Sequence, residues 1–190
     1  MKENGRKWMR NLLKLLDVKK IIFALRIILP MLCVLVLVFI FSQSLQTGEQ
    51  SAQTSSKVVD TVQEVAQVIA PESKIATATG EAYDKLHADI RTLAHFAEFV
   101  LLGAVACGCC LVYTQKKRYW LLGILGLVLV PIIDETLQSF TANRAAEIID
   151  ILVDFGGGIV GFALVLGCFY GVAYWWKRRK NKRETVAQNT

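Results

Sequence analysis

The apolar positions of this chain gather into four long runs, at 20–41, 93–113, 119–137 and 149–176, separated by polar connections. A helix needs about 20 mostly apolar residues to cross a hydrocarbon core of about 30 Å, and each run has that length. The pattern predicts an all-α fold: a polytopic membrane protein with four transmembrane helices. The first connection, 42–90, is the long one. It opens on a Ser/Gln-rich stretch read as loop or short helix. Val58, Val59, Val62, Val65, Ala66 and Ile69 then recur at helical spacing, with Asp60, Gln63, Glu64 and Gln67 opposite them. Pro71 ends this amphipathic helix. Its acidic and amide face suits a cap packed on protein better than an anionic membrane surface. A second helical piece, 81–90, leads into the second run.

Charge turns the four runs into a topology. The net charge is +6, and the basic residues are not spread evenly. Lys2, Arg6, Lys7, Arg10, Lys14, Lys19 and Lys20 precede the first run, Lys116, Lys117 and Arg118 fill the turn after the second, and Lys177 to Arg183 follow the fourth. Alternate connections are therefore basic, which by the positive-inside bias places both termini in the cytoplasm and the other two connections outside. Trp120, Trp175 and Trp176 sit where the cytoplasmic interface then falls. The organisation expected is a basic cytoplasmic tail at 1–19, a four-span domain at 20–176 and a second basic tail at 177–190. The partner this excess of Lys and Arg implies is the lipid bilayer of the cell membrane, not nucleic acid. The first run is too long for a signal h-region and lacks a small-x-small site after it, so it reads as an anchor. All five cysteines lie inside the runs, where they read as small apolar packing residues, not as disulfides.

Three of the runs carry ionisable residues at one end. The second holds Arg91, His95 and Glu98; the third closes on Asp134, Glu135 and Gln138; the fourth opens with Asp150 and Asp154, after Arg144 and Glu147. A charge at bilayer depth costs about 2.5–3.5 kcal/mol on insertion scales, so a cluster calls for a function. Helical spacing aligns Arg91, His95 and Glu98 on one face, Asp134 with Gln138, and Asp150 with Asp154. The Asp134 face runs back through Val130 to Gly126 and Gly123, and the Asp154 face runs on to Gly157, Gly158 and Gly161. Small residues of this kind let helices approach closely in lipid, as Gly103 does on the second run, so the polar faces point into the bundle. Pro131, one turn below Asp134, removes a backbone donor and predicts a kink that opens room beneath the acids.

Even with Arg91 and Arg144 both paired, acid is left over. The surplus suits a cation, an amine or held protons. His95 with the carboxylates offers a divalent cation an imidazole and several oxygens. The same set offers acid/base chemistry, with His95, Glu98 and Asp134 the catalytic candidates. Interhelical ion pairs that only fix the bundle are the alternative.

The order of these residues is similar to that of the VanZ-like membrane proteins. Arg91-x-x-x-His95-Phe96-x-Glu98-Phe99-x-x-x-Gly103 resembles the first signature of that family. Asp134-Glu135-x-x-Gln138-x-Phe140, Arg144, and Asp150-x-x-x-Asp154-x-x-Gly157-x-x-x-Gly161 resemble the later ones, and Phe41-Ser42-Gln43-Ser44 resembles the family's opening turn. Thr141-Ala142-Asn143 departs from the family's Pro-Gly before the Arg. The resemblance implies a role at the cell envelope of a Gram-positive bacterium, since the family's namesake is associated with resistance to the glycopeptide teicoplanin. The expected role is binding or accessory, toward an envelope lipid, a cell-wall precursor or the glycopeptide. An enzyme modifying such a component is the second reading.

Overall fold

A computed structural model describes residues 2–113, 117–142 and 147–188, with side chains over 17–113, 120–142, 147–179 and 181. Among these residues the regular structure is all helical: α1 (Lys2–Ser44), α2 (Gly48–Ile69), α3 (Glu81–Tyr113), α4 (Lys117–Ser139) and α5 (Ile148–Gln188). Four helices are long and apolar enough to cross a membrane, over Asp17–Ser44, Glu81–Tyr113, Trp120–Ser139 and Ile148–Arg179. These contain the four apolar runs, and the helices outrun them because a helix does not stop where hydropathy does.

The amphipathic helix also begins earlier than its valine pattern. Thr47 caps α2 at both levels of a capping box: its hydroxyl accepts from the Gln50 N–H, and the Gln50 side chain accepts from the Thr47 N–H. The Ser/Gln-rich stretch is therefore split between the end of α1 and the first turns of α2. α2 packs antiparallel on the N-terminal part of α3, tied by Tyr83 OH donating to Asp60 Oδ1 at 2.9 Å and by His87 Nε2 at 3.1 Å from the Ala52 carbonyl. Val59 is buried and Val62 and Ala66 are half-buried, whereas Val58, Val65 and Ile69 stay exposed. The face on α3 is thus rotated from the centre of the apolar stripe. Gln63 Nε2 holds the returning loop through the carbonyls of Ile75 and Ala78, at 3.1 and 2.9 Å. Gly80, at φ 55°, takes the left-handed turn that starts α3.

α3 is the central helix, and its contact with α5 is the most extensive in the bundle. The approach is as close as glycine allows. A Cβ at Gly157 would stand 2.5 Å from the Phe96 carbonyl oxygen, and Cβ atoms at Gly103 and Gly161 would run into the Gly158 and Val100 carbonyls. α1 lies along another side of α3, through a core of Val36, Ile40, Phe99 and Leu102. At the far end Arg26 Nε donates to the Val112 carbonyl and Tyr113 OH donates to the Arg26 carbonyl. α4 packs on α5 by Leu127 against Gly158 and by an edge-to-face contact of Trp120 with Phe162.

One expectation needs correcting. Gly126 has nothing within 4 Å of its Cβ position, so it is not a close-packing residue. It lines an apolar cavity of about 340 Å³ with Cys33, Leu37, Leu102, Leu127 and Val130. α4 continues helically through Pro131, which is itself fully buried and does not line this cavity.

Candidate polar site in the bundle

Asp134 is fully buried on the inner face of α4, as its spacing from the small residues predicts. Both its oxygens are engaged. Ser44 Oγ, at the last residue of α1, donates to Oδ1, and Gln138 Nε2, one turn along α4, donates to Oδ2 at 2.9 Å. Two donors converging on one carboxylate fix its orientation. Gln138 and Ser44 are themselves 3% and 0% exposed, so this small network is closed to solvent.

Asp154 reaches the same place from α5. It is 2% exposed, and its Oδ1 has no hydrogen-bond partner. His95 arrives from α3. One ligand atom each of His95, Asp134 and Asp154 lie within 4.8 Å of one another, so three helices contribute one group apiece. Glu98, one turn along α3, stands with Oε2 3.9 Å from His95 Nδ1, without a hydrogen bond to that oxygen. The glycine contacts explain why these groups meet. Gly157 and Gly161, one and two turns beyond Asp154, hold α5 against the α3 backbone at Phe96 and Val100, so His95 and Asp154 come side by side.

The other expected residues are arranged differently. Glu135 is buried, but its Oε1 accepts the Glu147 N–H at 2.6 Å, just before α5. It ties α4 to the start of α5, while Oε2 remains without a hydrogen-bond partner. Asp150 is half-buried in the first turn of α5, one turn away from Asp154 and outside the trio. Arg91 lines a vestibule of about 200 Å³ between α1, α2 and α3, whose wall also includes Gln43, Ser55, His95 and Glu98. Arg144 lies outside the described residues.

Ser44 is the residue that sequence reasoning passed over as a site member. It stood in the quoted Phe41-Ser42-Gln43-Ser44 turn, but a serine at the end of a span is common, and nothing in the spacing tells which hydroxyl turns inward. Ala142, just after α4, is tied to the start of α2, since the Gly48 N–H donates to the Ala142 carbonyl at 3.1 Å.

Comparison with curated proteins and with solved structures returns no match. A family model described as VanZ/LLP1 matches residues 28–171, which takes in the second and third spans whole, the greater part of the first and fourth, and every residue of the site described above. That match covers well over half of the chain, and the protein belongs to the VanZ/LLP1 family.

Proposed function

We propose that this protein spans the cell membrane with both termini cytoplasmic and the polar site toward the outside. There it binds the head group of an amphiphilic envelope component, an envelope lipid or a lipid-linked cell-wall precursor, in a binding or accessory role. The observation that carries this reading is the stacking of two cavities. Glu98 on the vestibule wall and Leu102 on the apolar cavity wall are successive turns of one α3 face. A pocket walled in part by charged and amide groups, one turn along α3 from an apolar one, is matched to a molecule with a charged head and a hydrocarbon chain. The alternation of basic connections supports the orientation. Altered susceptibility to the glycopeptide teicoplanin is the phenotype such a role would give in a Gram-positive host.

An enzyme working on the same component is the second reading. It is favoured by one observation, the imidazole of His95 converging with two carboxylates, which are groups that move protons. Native mass spectrometry of the nanodisc-reconstituted protein tests the first reading. Offered a lipid-linked precursor and a neutral diacyl lipid, the protein should retain the precursor, and Arg91→Ala combined with Glu98→Gln should lose it. Equal retention of both lipids by both proteins would overturn the proposal. Turnover of the precursor by the purified protein would favour the enzyme.

A further inference from the structure

The buried trio has a property that the binding of an amphiphile leaves unexplained. Asp134 and Asp154 face one another in a membrane bundle, each nearly sealed from water. No Lys or Arg among the described residues forms an ion pair with Asp154, and its Oδ1 accepts no hydrogen bond. A buried carboxylate oxygen left in this state costs several kcal/mol unless something neutralises it. Asp134 is different, since Ser44 and Gln138 orient it. A carboxylate oxygen has two lone pairs, so an oxygen that takes one donor can also ligate a cation.

The spacing of the three groups suits ligands of one ion. With metal–ligand bonds of about 2.1 Å at tetrahedral angles, neighbouring ligand atoms stand about 3.4 Å apart. The three donor atoms lie within 4.8 Å of one another, so a rotamer adjustment of about an ångström draws them onto a common centre. They come from three rigid helices, two of which are locked by glycine contacts. Two carboxylates balance a charge of +2, which removes the burial penalty in one step. One nitrogen and two oxygens fall short of the six to eight oxygens that calcium takes, and magnesium seldom takes imidazole; this donor set suits zinc or manganese. His95 also lines the vestibule, which leaves an open side where a further ligand can reach the ion.

We propose that His95, Asp134 and Asp154 together bind one divalent transition-metal ion, zinc or manganese, at the base of the vestibule. This goes beyond the binding reading above. The ion can be held whichever amphiphile uses the vestibule, and it is detected by metal content, not by lipid retention.

The test uses the full chain, untagged, in nanodiscs, stripped with a chelator and titrated with Zn²⁺ or Mn²⁺ alone. One ion per chain should remain after dialysis. Asp154→Asn and His95→Ala should each weaken it at least tenfold, while Glu72→Gln, in the exposed loop after α2, should bind like wild type. Mn²⁺ in the wild-type protein should show coupling to one imidazole nitrogen by pulsed electron paramagnetic resonance. That reading does not depend on whether any variant folds. The chain contains two histidines, so His87→Ala should keep the coupling. Folded wild-type protein that holds neither metal would overturn the proposal, its acids being neutralised by protons or water instead. So would binding unchanged by both site variants, or a bound ion without imidazole coupling.

Discussion

Gly161→Ala is a change of one methyl group outside the site, and the structure assigns it a large effect. The added Cβ would lie 2.7 Å from the Val100 carbonyl carbon and 2.9 Å from the Ala104 nitrogen, and nearer still to the Val100 carbonyl oxygen. Ordinary carbon contacts fall at about 3.5–4.0 Å, so α3 and α5 must part by about 1 Å. The obstacles are backbone atoms, so no rotamer change relieves them. Overpacking of this kind costs about 1–3 kcal/mol, and a rigid helix pair belongs at the upper end, about 2–3 kcal/mol. Gly167→Ala and Gly126→Ala are the controls, because nothing stands within 4 Å of either Cβ position. Their stability should equal that of wild type or exceed it by up to about 1 kcal/mol, the helix-propensity gain of Ala over Gly. The assay is unfolding of purified protein in mixed micelles by titration with sodium dodecyl sulfate, followed by circular dichroism. Parting α3 from α5 also parts His95 from Asp154, so Gly161→Ala should bind metal more weakly without altering a ligand. If Gly161→Ala unfolds at the same detergent fraction as Gly167→Ala, the close α3–α5 packing is wrong, and with it the account of how the trio is assembled.

Other outcomes follow from single contacts. Ser44→Ala removes the donor to the buried Asp134 oxygen and should cost about 1–3 kcal/mol in the same assay, with Ser44→Thr milder. Gln63→Ala frees the carbonyls of Ile75 and Ala78, so limited proteolysis should cut faster within 70–80 while the spans stay protected. Tyr83→Phe breaks an exposed hydrogen bond to Asp60 and should change stability by less than about 1 kcal/mol; a larger loss would mean that α2 is held to α3 chiefly through this pair. Reporter fusions at residue 190 should read as cytoplasmic, and a label introduced near Ser73 should be reached by membrane-impermeant reagents from outside; the reverse pattern would invert the proposed orientation.

How much of this was legible in the sequence differs from element to element. The four spans could be read because apolar runs of that length have no other inexpensive place to go. Asp134 could be placed inward because Val130 and the small residues behind it share its face. The meeting of His95 with Asp154 was only partly legible: spacing gives each helix a face, but which faces touch is set by where α5 locks onto α3 at Gly157 and Gly161. The signatures put Glu135 and Asp134 side by side, yet successive residues on a helix point about 100° apart, and Glu135 goes to the start of α5 instead. Gly126 shows the reverse error, since a small residue marks either a close contact or a cavity, and sequence does not separate the two. Ser44 needed the structure altogether.

The central claim is that His95 and the buried acids Asp134 and Asp154, one group from each of three helices, form a ligand site and not a set of packing interactions. Asp154 separates these most cleanly, because it is buried with an oxygen that accepts no hydrogen bond. A residue kept for stability loses stability when altered, whereas one kept for a ligand can be altered at little structural cost. Asp154→Asn should therefore reach wild-type levels in the membrane and unfold at or above the wild-type detergent fraction, while ligand retention and any effect on teicoplanin susceptibility are lost. A variant that disappears from the membrane, or that keeps full function despite the lost carboxylate, would contradict the account.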